Sequence, residues 1–187
     1  MKQLVILSGK GGTGKTSVAA AFAHLAAGGG SRTRAVLVDA DVDAANLELV
    51  LDPRPIEEHE FVAGSVAVID AARCSSCGRC DEVCRFDAVL QGGRDDLEAH
   101  GRAASLAYAI DPIACEGCAA CVHQCPERAI RMEPQVAGRW FRSETRYGPL
   151  VHAALRAGQD NSGKLVALVR QEARRLALDE GRDLVIV

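Results

Sequence analysis

Residues 8–17 read Ser8-Gly9-Lys10-Gly11-Gly12-Thr13-Gly14-Lys15-Thr16-Ser17, and this glycine-rich stretch decides the fold. Upstream, Leu4-Val5-Ile6-Leu7 is a short apolar run suited to a buried parallel strand. Downstream, Thr16 to Ala27 is rich in alanine and predicts a helix, stopped by Gly28-Gly29-Gly30. A strand feeding a glycine-rich loop that opens a helix is the context in which G-x-x-x-x-G-K-T carries meaning. Here the pattern runs Gly9, Lys10, Gly11, Gly12, Thr13, Gly14, Lys15, Thr16, with Ser17 next in the helix. The backbone N–H groups of such a loop and the helix N-terminus cradle phosphate oxygens. Lys15 is expected to meet the terminal phosphates, and the Thr16 hydroxyl to ligate Mg²⁺.

Outward from the loop, Ala35-Val36-Leu37-Val38 predicts a second buried strand with Asp39 at its C-terminal end. Asn46 to Leu51 allows a short helix before Pro53 and Pro55 interrupt the pattern. From residue 57 to 135 the composition changes, and all eight cysteines fall there. After 136 the α/β character returns. Asp160-Asn161-Ser162 offers an N-cap, with Ser162 the expected capping residue. The helix beyond carries Leu165, Leu168, Val169, Ala173 and Leu176 at helical spacing and ends by Gly181. Leu184-Val185-Ile186-Val187 predicts a third buried strand. The expected organisation is a first α/β segment at 1–56, an insert at 57–135 and an α/β continuation at 136–187.

The insert repeats itself. Ile69-Asp70 through Cys74 matches Ile110-Asp111 through Cys115 at an offset of 41 residues, and the same cysteine spacing follows each. The first copy is Cys74-x2-Cys77-x2-Cys80-x3-Cys84; the second is Cys115-x2-Cys118-x2-Cys121-x3-Cys125, followed by Pro126. Three thiolates at this spacing curl the chain around one cubane cluster, and the fourth ligand of each cluster comes from the other copy. That assigns Cys74, Cys77, Cys80 and Cys125 to one 4Fe–4S cluster, and Cys115, Cys118, Cys121 and Cys84 to a second. Two Cys₄ zinc sites are the alternative, since they too use C-x2-C pairs. Gly78 and Gly117 are expected to let the backbone approach the cluster sulfides without a Cβ. His123, between two ligands, is either an exposed residue or a donor to a sulfide.

Two resemblances extend these patterns. The insert resembles bacterial two-cluster ferredoxins over about 60 residues, departing from them at Arg85, where those proteins usually place proline after the fourth cysteine. That departure implies an added charge beside one cluster and a raised potential. The loop, with its second lysine Lys10, resembles the deviant Walker A motif of the MinD/ParA/nitrogenase iron-protein class of P-loop ATPases. In that class the extra lysine crosses to the nucleotide of a partner, so the resemblance implies an ATP-dependent homodimer and a catalytic role for Lys10 beside Lys15. Val38-Asp39-Ala40-Asp41 continues the match, which implies an outer-shell Mg²⁺ role for Asp39 and a water-orienting, catalytic role for Asp41. Asn46-Leu47, Trp140-Phe141, Ser143 to Pro149 and Asn161 to Leu165 also fit, and the likeness runs essentially end to end.

The implied fold is a P-loop NTPase parallel sheet with helices, plus an inserted α+β ferredoxin-like domain. In the family an Asp-Gly-Pro-Pro segment follows the third strand, whereas this sequence ends at Val187. The expectation is a sheet incomplete at its C-terminal side, binding Mg-ATP weakly and turning it over negligibly. The implied function couples nucleotide binding or hydrolysis to electron transfer through the clusters. A cluster scaffold or carrier, a ferredoxin-type carrier with nucleotide-regulated docking, and clusters as structural staples are the other readings.

Composition narrows the surroundings. A hydrophobic share of 48% with 25% charged residues suits a core-forming protein, and a net charge of −3 argues against non-specific nucleic-acid binding. No apolar run reaches the length of about 18 residues that a membrane span needs, and no signal-peptide pattern opens the chain. Eight cysteines without a secretory signal point to metal ligation rather than disulfides, and to the cytoplasm. The expected partner is a redox protein or an iron–sulfur acceptor.

Overall fold

The computed structural model describes residues 1–28, 33–91, 108–159 and 161–187. The chain divides into two compact units: Met1–Phe61 with Ala137–Val187, and Val62–Val136. The boundaries fall inside two long strands, after Phe61 and after Val136.

In the first unit the elements are β1 (Lys2–Leu4), α1 (Lys15–Gly28), β2 (Ala35–Val38), α2 (Leu47–Leu51) and the start of β3 (Arg54–Ile69). The second unit holds α3 (Arg79–Glu82), β4 (Val89–Gln91), β5 (Tyr108–Ile110), α4 (Ala120–Gln124) and the start of β6 (Ile130–Thr145). The chain then returns to the first unit for β7 (Gly148–Leu155), α5 (Ser162–Asp179) and β8 (Leu184–Ile186). One sheet runs β1-β8-β2-β7-β6-β3. Its β1, β8, β2 and β7 are mutually parallel, and β6 is antiparallel to β7. This is an α/β fold on a mainly parallel sheet.

Why β2 sits inside that sheet is plain from its side chains. All four residues of Ala-Val-Leu-Val are buried, as a strand covered on both faces requires. Ala19 and Ala23 of α1, Leu37, Leu47, Leu51, Leu150 and Ile186 share one core. Helix α5 buries Leu165, Val169, Ala173 and Leu176, the stripe its spacing predicts, and leaves Leu168 half-buried.

Three local expectations shift. The strand expected at Leu4–Leu7 lies at Lys2–Leu4, while Val5 and Leu7 are exposed on the approach to the loop. Ser162 does not cap α5; it is the first helical residue, and Asn161 stands before it with φ 76. Asn tolerates that left-handed backbone, and its carbonyl accepts the N–H groups of Lys164 and Leu165. The antiparallel β6–β7 pair has no counterpart among the sequence expectations. Gly29, Gly30 and Asp160 lie outside the described residues.

The second unit is built twice. Strands β4 and β5 pair antiparallel, with Val89 opposite Ile110. Left-handed backbone falls at Ser76, Gly78 and Asp87 in one copy and at Gly117, Ala119 and Arg128 in the other, each pair 41 residues apart. Asp111 N–H donates to the Ala88 carbonyl at 2.8 Å, and Asp70 N–H to the Ala129 carbonyl at 2.7 Å. Each copy is therefore tied to the end of the other. Ala67, Ile69, Val89, Ile110 and Ile130 form the core, and six of the cysteines pack against it.

Candidate functional site: a phosphate loop and two cysteine-walled cavities

The glycine-rich loop spans the end of β1 and the start of α1. Ser8, Lys10 and Thr13 knit it together. Thr13 Oγ1 lies 2.8 Å from Ser8 Oγ, and Ser8 Oγ donates to the Lys10 carbonyl at 2.9 Å. Gly12 and Gly14 hold φ of 72 and 85, a backbone that side chains resist. Beyond the glycine and its chain neighbours, no atom lies within 4 Å of a Cβ built on Gly9, Gly11, Gly12 or Gly14, so the loop presents open space at all four. Val18 N–H donates to the Gly14 carbonyl, which winds α1 directly from the loop.

A cavity of about 260 Å³ opens beside it, with Ser8, Lys15, Thr16, Ala40, Asp41 and Ile6 among its walls. The structure thus brings Asp41 to the cavity that Lys15 and Thr16 line, although it lies far from them in sequence. Lys10 is exposed on the loop, and Ser17 is exposed on the first turn of α1.

Asp39 stands off the cavity and is 8% exposed. Its Oδ1 accepts the Asp41 N–H at 3.1 Å, and its Oδ2 accepts those of Asn46 and Leu47 at 3.1 and 2.9 Å. The carboxylate caps α2 and holds the turn that carries Asp41. Beneath it, His152 on β7 is buried. Its Nδ1 lies 3.1 Å from a Glu48 carboxylate oxygen and its Nε2 3.1 Å from Ser143 Oγ. Burial lowers the His152 pKa, and the Glu48 and Asp39 charges only partly offset that. In the neutral form that burial favours, Nδ1–H donates to Glu48 and Nε2 accepts from Ser143. No sequence motif marks His152, whose partners Glu48 and Ser143 only the fold brings near, or the capping role of Asp39, whose donors are backbone N–H groups.

The cysteines surround two further cavities, each about 20 Å³ in volume. Cys74, Cys77, Cys80 and Cys125 wall the first; Cys84, Cys115, Cys118 and Cys121 wall the second. Among the described residues, no three His, Cys, Asp or Glu side chains converge closely enough to hold a single metal ion. The Ala88 N–H donates to Cys84 Sγ at 3.4 Å, and the Ala129 N–H to Cys125 Sγ at 3.3 Å, orienting the same thiol in each copy. Burial pushes the Cys80 thiol up to about 11 and raises that of Cys121.

A Cβ at either Gly78 or Gly117 would also meet neighbouring protein atoms. A Cβ on Gly78 would stand 2.9 Å from the Tyr108 hydroxyl, and one on Gly117 would stand 2.4 Å from the Ser65 carbonyl oxygen. Their counterparts Ala119 and Ser76 do carry a Cβ in the same left-handed backbone. Arg85 is exposed and does not line the second cavity, and His123 is exposed on α4.

The family model of the CobQ/CobB/MinD/ParA nucleotide binding domain matches residues 4–181. The chain belongs to this family. An uncharacterised protein of Methanocaldococcus jannaschii is 30% identical over 179 residues, 96% of this chain and 57% of that one. An uncharacterised ATP-binding protein of the same organism is 40% identical over 70 residues, 36% of this chain and 26% of that one. A pyruvate dehydrogenase [NADP(+)] of Cryptosporidium parvum is 29% identical over 92 residues, 41% of this chain and 5% of that one. The chain spans little more than half the length of the first of these relatives. Among the described residues, no helix is long and apolar enough to cross a membrane.

Proposed function

We propose that this member of a nucleotide-binding family is an ATP-binding iron–sulfur protein that couples nucleotide binding to electron transfer through two 4Fe–4S clusters. One observation carries the cluster reading: each cavity is walled by three cysteines of one motif and the fourth of the other. A cubane binds each thiolate on a different iron, so four sulfurs spread around a cavity suit it. A single zinc asks for four sulfurs gathered about 2.3 Å from one point. Cys74, Cys77, Cys80 and Cys125 hold the first cluster, and Cys84, Cys115, Cys118 and Cys121 the second. When bound, the clusters supply one-electron chemistry.

On the nucleotide side, ATP is the ligand suggested by the P-loop pattern and by the relative described as ATP-binding. The loop from Gly9 to Thr16, with Ser17 in the first helical turn, binds the phosphates through backbone N–H groups. Lys15 supplies the charge against them, and the Thr16 hydroxyl is the Mg²⁺ ligand. Asp41 orients water in the same cavity. Asp39 acts on this site by positioning Asp41 through the turn it caps. Lys10 reaches the nucleotide of a second copy in an ATP-dependent homodimer. The setting is the cytoplasm, and the partner is a redox protein or cluster acceptor.

The coupling is tested by measuring the cluster midpoint potentials of the full chain with and without Mg-ATP, using Lys15→Ala as control. A shift on adding nucleotide that Lys15→Ala abolishes is the expected result. Identical potentials under both conditions, with nucleotide binding verified in the same sample, would contradict coupling.

A further inference from the structure

The two cysteine cavities have twelve described lining residues each, and every one in the first has its counterpart in the second at the repeat offset of 41. The backbone frame is thus duplicated, and the two sites differ only in the side chains that fill equivalent places. Tyr108 lines the first cavity where Ala67 lines the second. Ser75 lines the first where Glu116 lines the second. Arg79 and Glu127 in the first stand where Ala120 and Phe86 stand in the second.

Within the two linings the consequences for charge have one direction, and Arg85, exposed beside Cys84, lies outside them. The first cavity carries two hydroxyls able to donate to sulfur, and its one cationic and one anionic residue offset each other. Among its described lining residues, the second carries one carboxylate, no cation and no hydroxyl. The backbone donors are matched, because Ala129 N–H serves Cys125 as Ala88 N–H serves Cys84. Added negative charge on a cluster is stabilised by nearby donors and opposed by a nearby carboxylate.

We infer that the two sites form a directional pair, in which the cluster held by Cys74, Cys77, Cys80 and Cys125 has the higher potential and is reduced first. This inference rests on the cluster reading given above. A one-electron donor protein, or dithionite in a titration, reduces the first cluster by one electron; a second equivalent then reduces the other. At intermediate potentials the electron resides beside Tyr108 and Ser75 rather than beside Glu116, whichever cluster receives it.

The test is a redox titration of the anaerobically reconstituted full chain followed by electron paramagnetic resonance, on wild type, Tyr108→Phe and Glu116→Gln. Two one-electron steps are expected, separated by at least about tenfold in equilibrium constant, which is about 59 mV for one electron. Tyr108→Phe should lower the upper step alone, and Glu116→Gln should raise the lower step alone. Glu116 is exposed, so its variant tests the ordering even if the Tyr108 variant fails to fold. Two coincident steps, or an upper step that follows Glu116, would overturn the ordering while leaving two clusters in place. Protein that takes up no iron would overturn the cluster reading itself and the ordering with it.

Discussion

Asp39 Oδ1 accepts the backbone N–H of Asp41 at 3.1 Å, so the first of these acids fixes the turn on which the second enters the phosphate-loop cavity. With its other oxygen on Asn46 and Leu47 N–H, the Asp39 carboxylate serves three donors. Asp39→Ala leaves those donors without their acceptor and should cost about 3 kcal/mol of stability. It should also weaken nucleotide binding, since Asp41 loses its anchor. Urea midpoints and isothermal titration check the two effects; an unchanged midpoint would remove the capping role.

The two loop lysines should separate cleanly. Lys15 lines the cavity while Lys10 is exposed. Lys15→Ala should abolish Mg-ATP binding in isothermal titration. Lys10→Ala should leave binding within a fewfold of wild type and eliminate nucleotide-dependent self-association in sedimentation. Loss of binding in both variants would contradict the division of roles.

Acid should destabilise the first unit through His152. Its folded pKa is lowered from an ordinary value of 6.5 by burial. The unfolded chain therefore binds the proton more readily, and stability falls as pH drops below about 6.5 toward the folded value. Above 6.5 this residue contributes no pH dependence. His152→Gln, which keeps a polar side chain that does not titrate, should flatten the urea midpoint between pH 7 and 5. A slope that persists in the variant would assign it to other groups.

The repeat makes a steric prediction as well. Gly117→Ala places a Cβ against the Ser65 carbonyl in left-handed backbone, and neither group can move freely. Gly78→Ala meets only the hydroxyl end of Tyr108. Gly117→Ala should therefore cost more than about 2 kcal/mol and exceed Gly78→Ala. Thermal unfolding of both variants decides it; equal costs would mean that Ser65 yields as readily as Tyr108.

Much of this was legible before any coordinates. Ala35–Val38 reads as a buried strand because all four of its residues are apolar, and it is one. The repeat offset from Cys74 to Cys115 reappears in paired left-handed residues and in the two cavity linings. The β6–β7 hairpin was not legible, since Arg139, Arg142 and Glu144 break the apolar pattern. Arg139 and Arg142 find partners in Glu58, Glu57 and Glu180, which only the fold brings near. Spacing pairs Tyr108 with Ala67 at the repeat offset, but only the fold shows that both line cysteine cavities.

What the eight cysteines hold is measured most directly by the metal and sulfide content of anaerobically purified protein. Two complete Cys₄ sets predict about eight iron and eight acid-labile sulfide atoms per chain, with broad visible charge-transfer absorption. Cys84→Ser should then deplete the cluster of Cys115, Cys118 and Cys121 and spare the other. Stoichiometric zinc, with no sulfide and no visible absorption, would contradict the cluster reading.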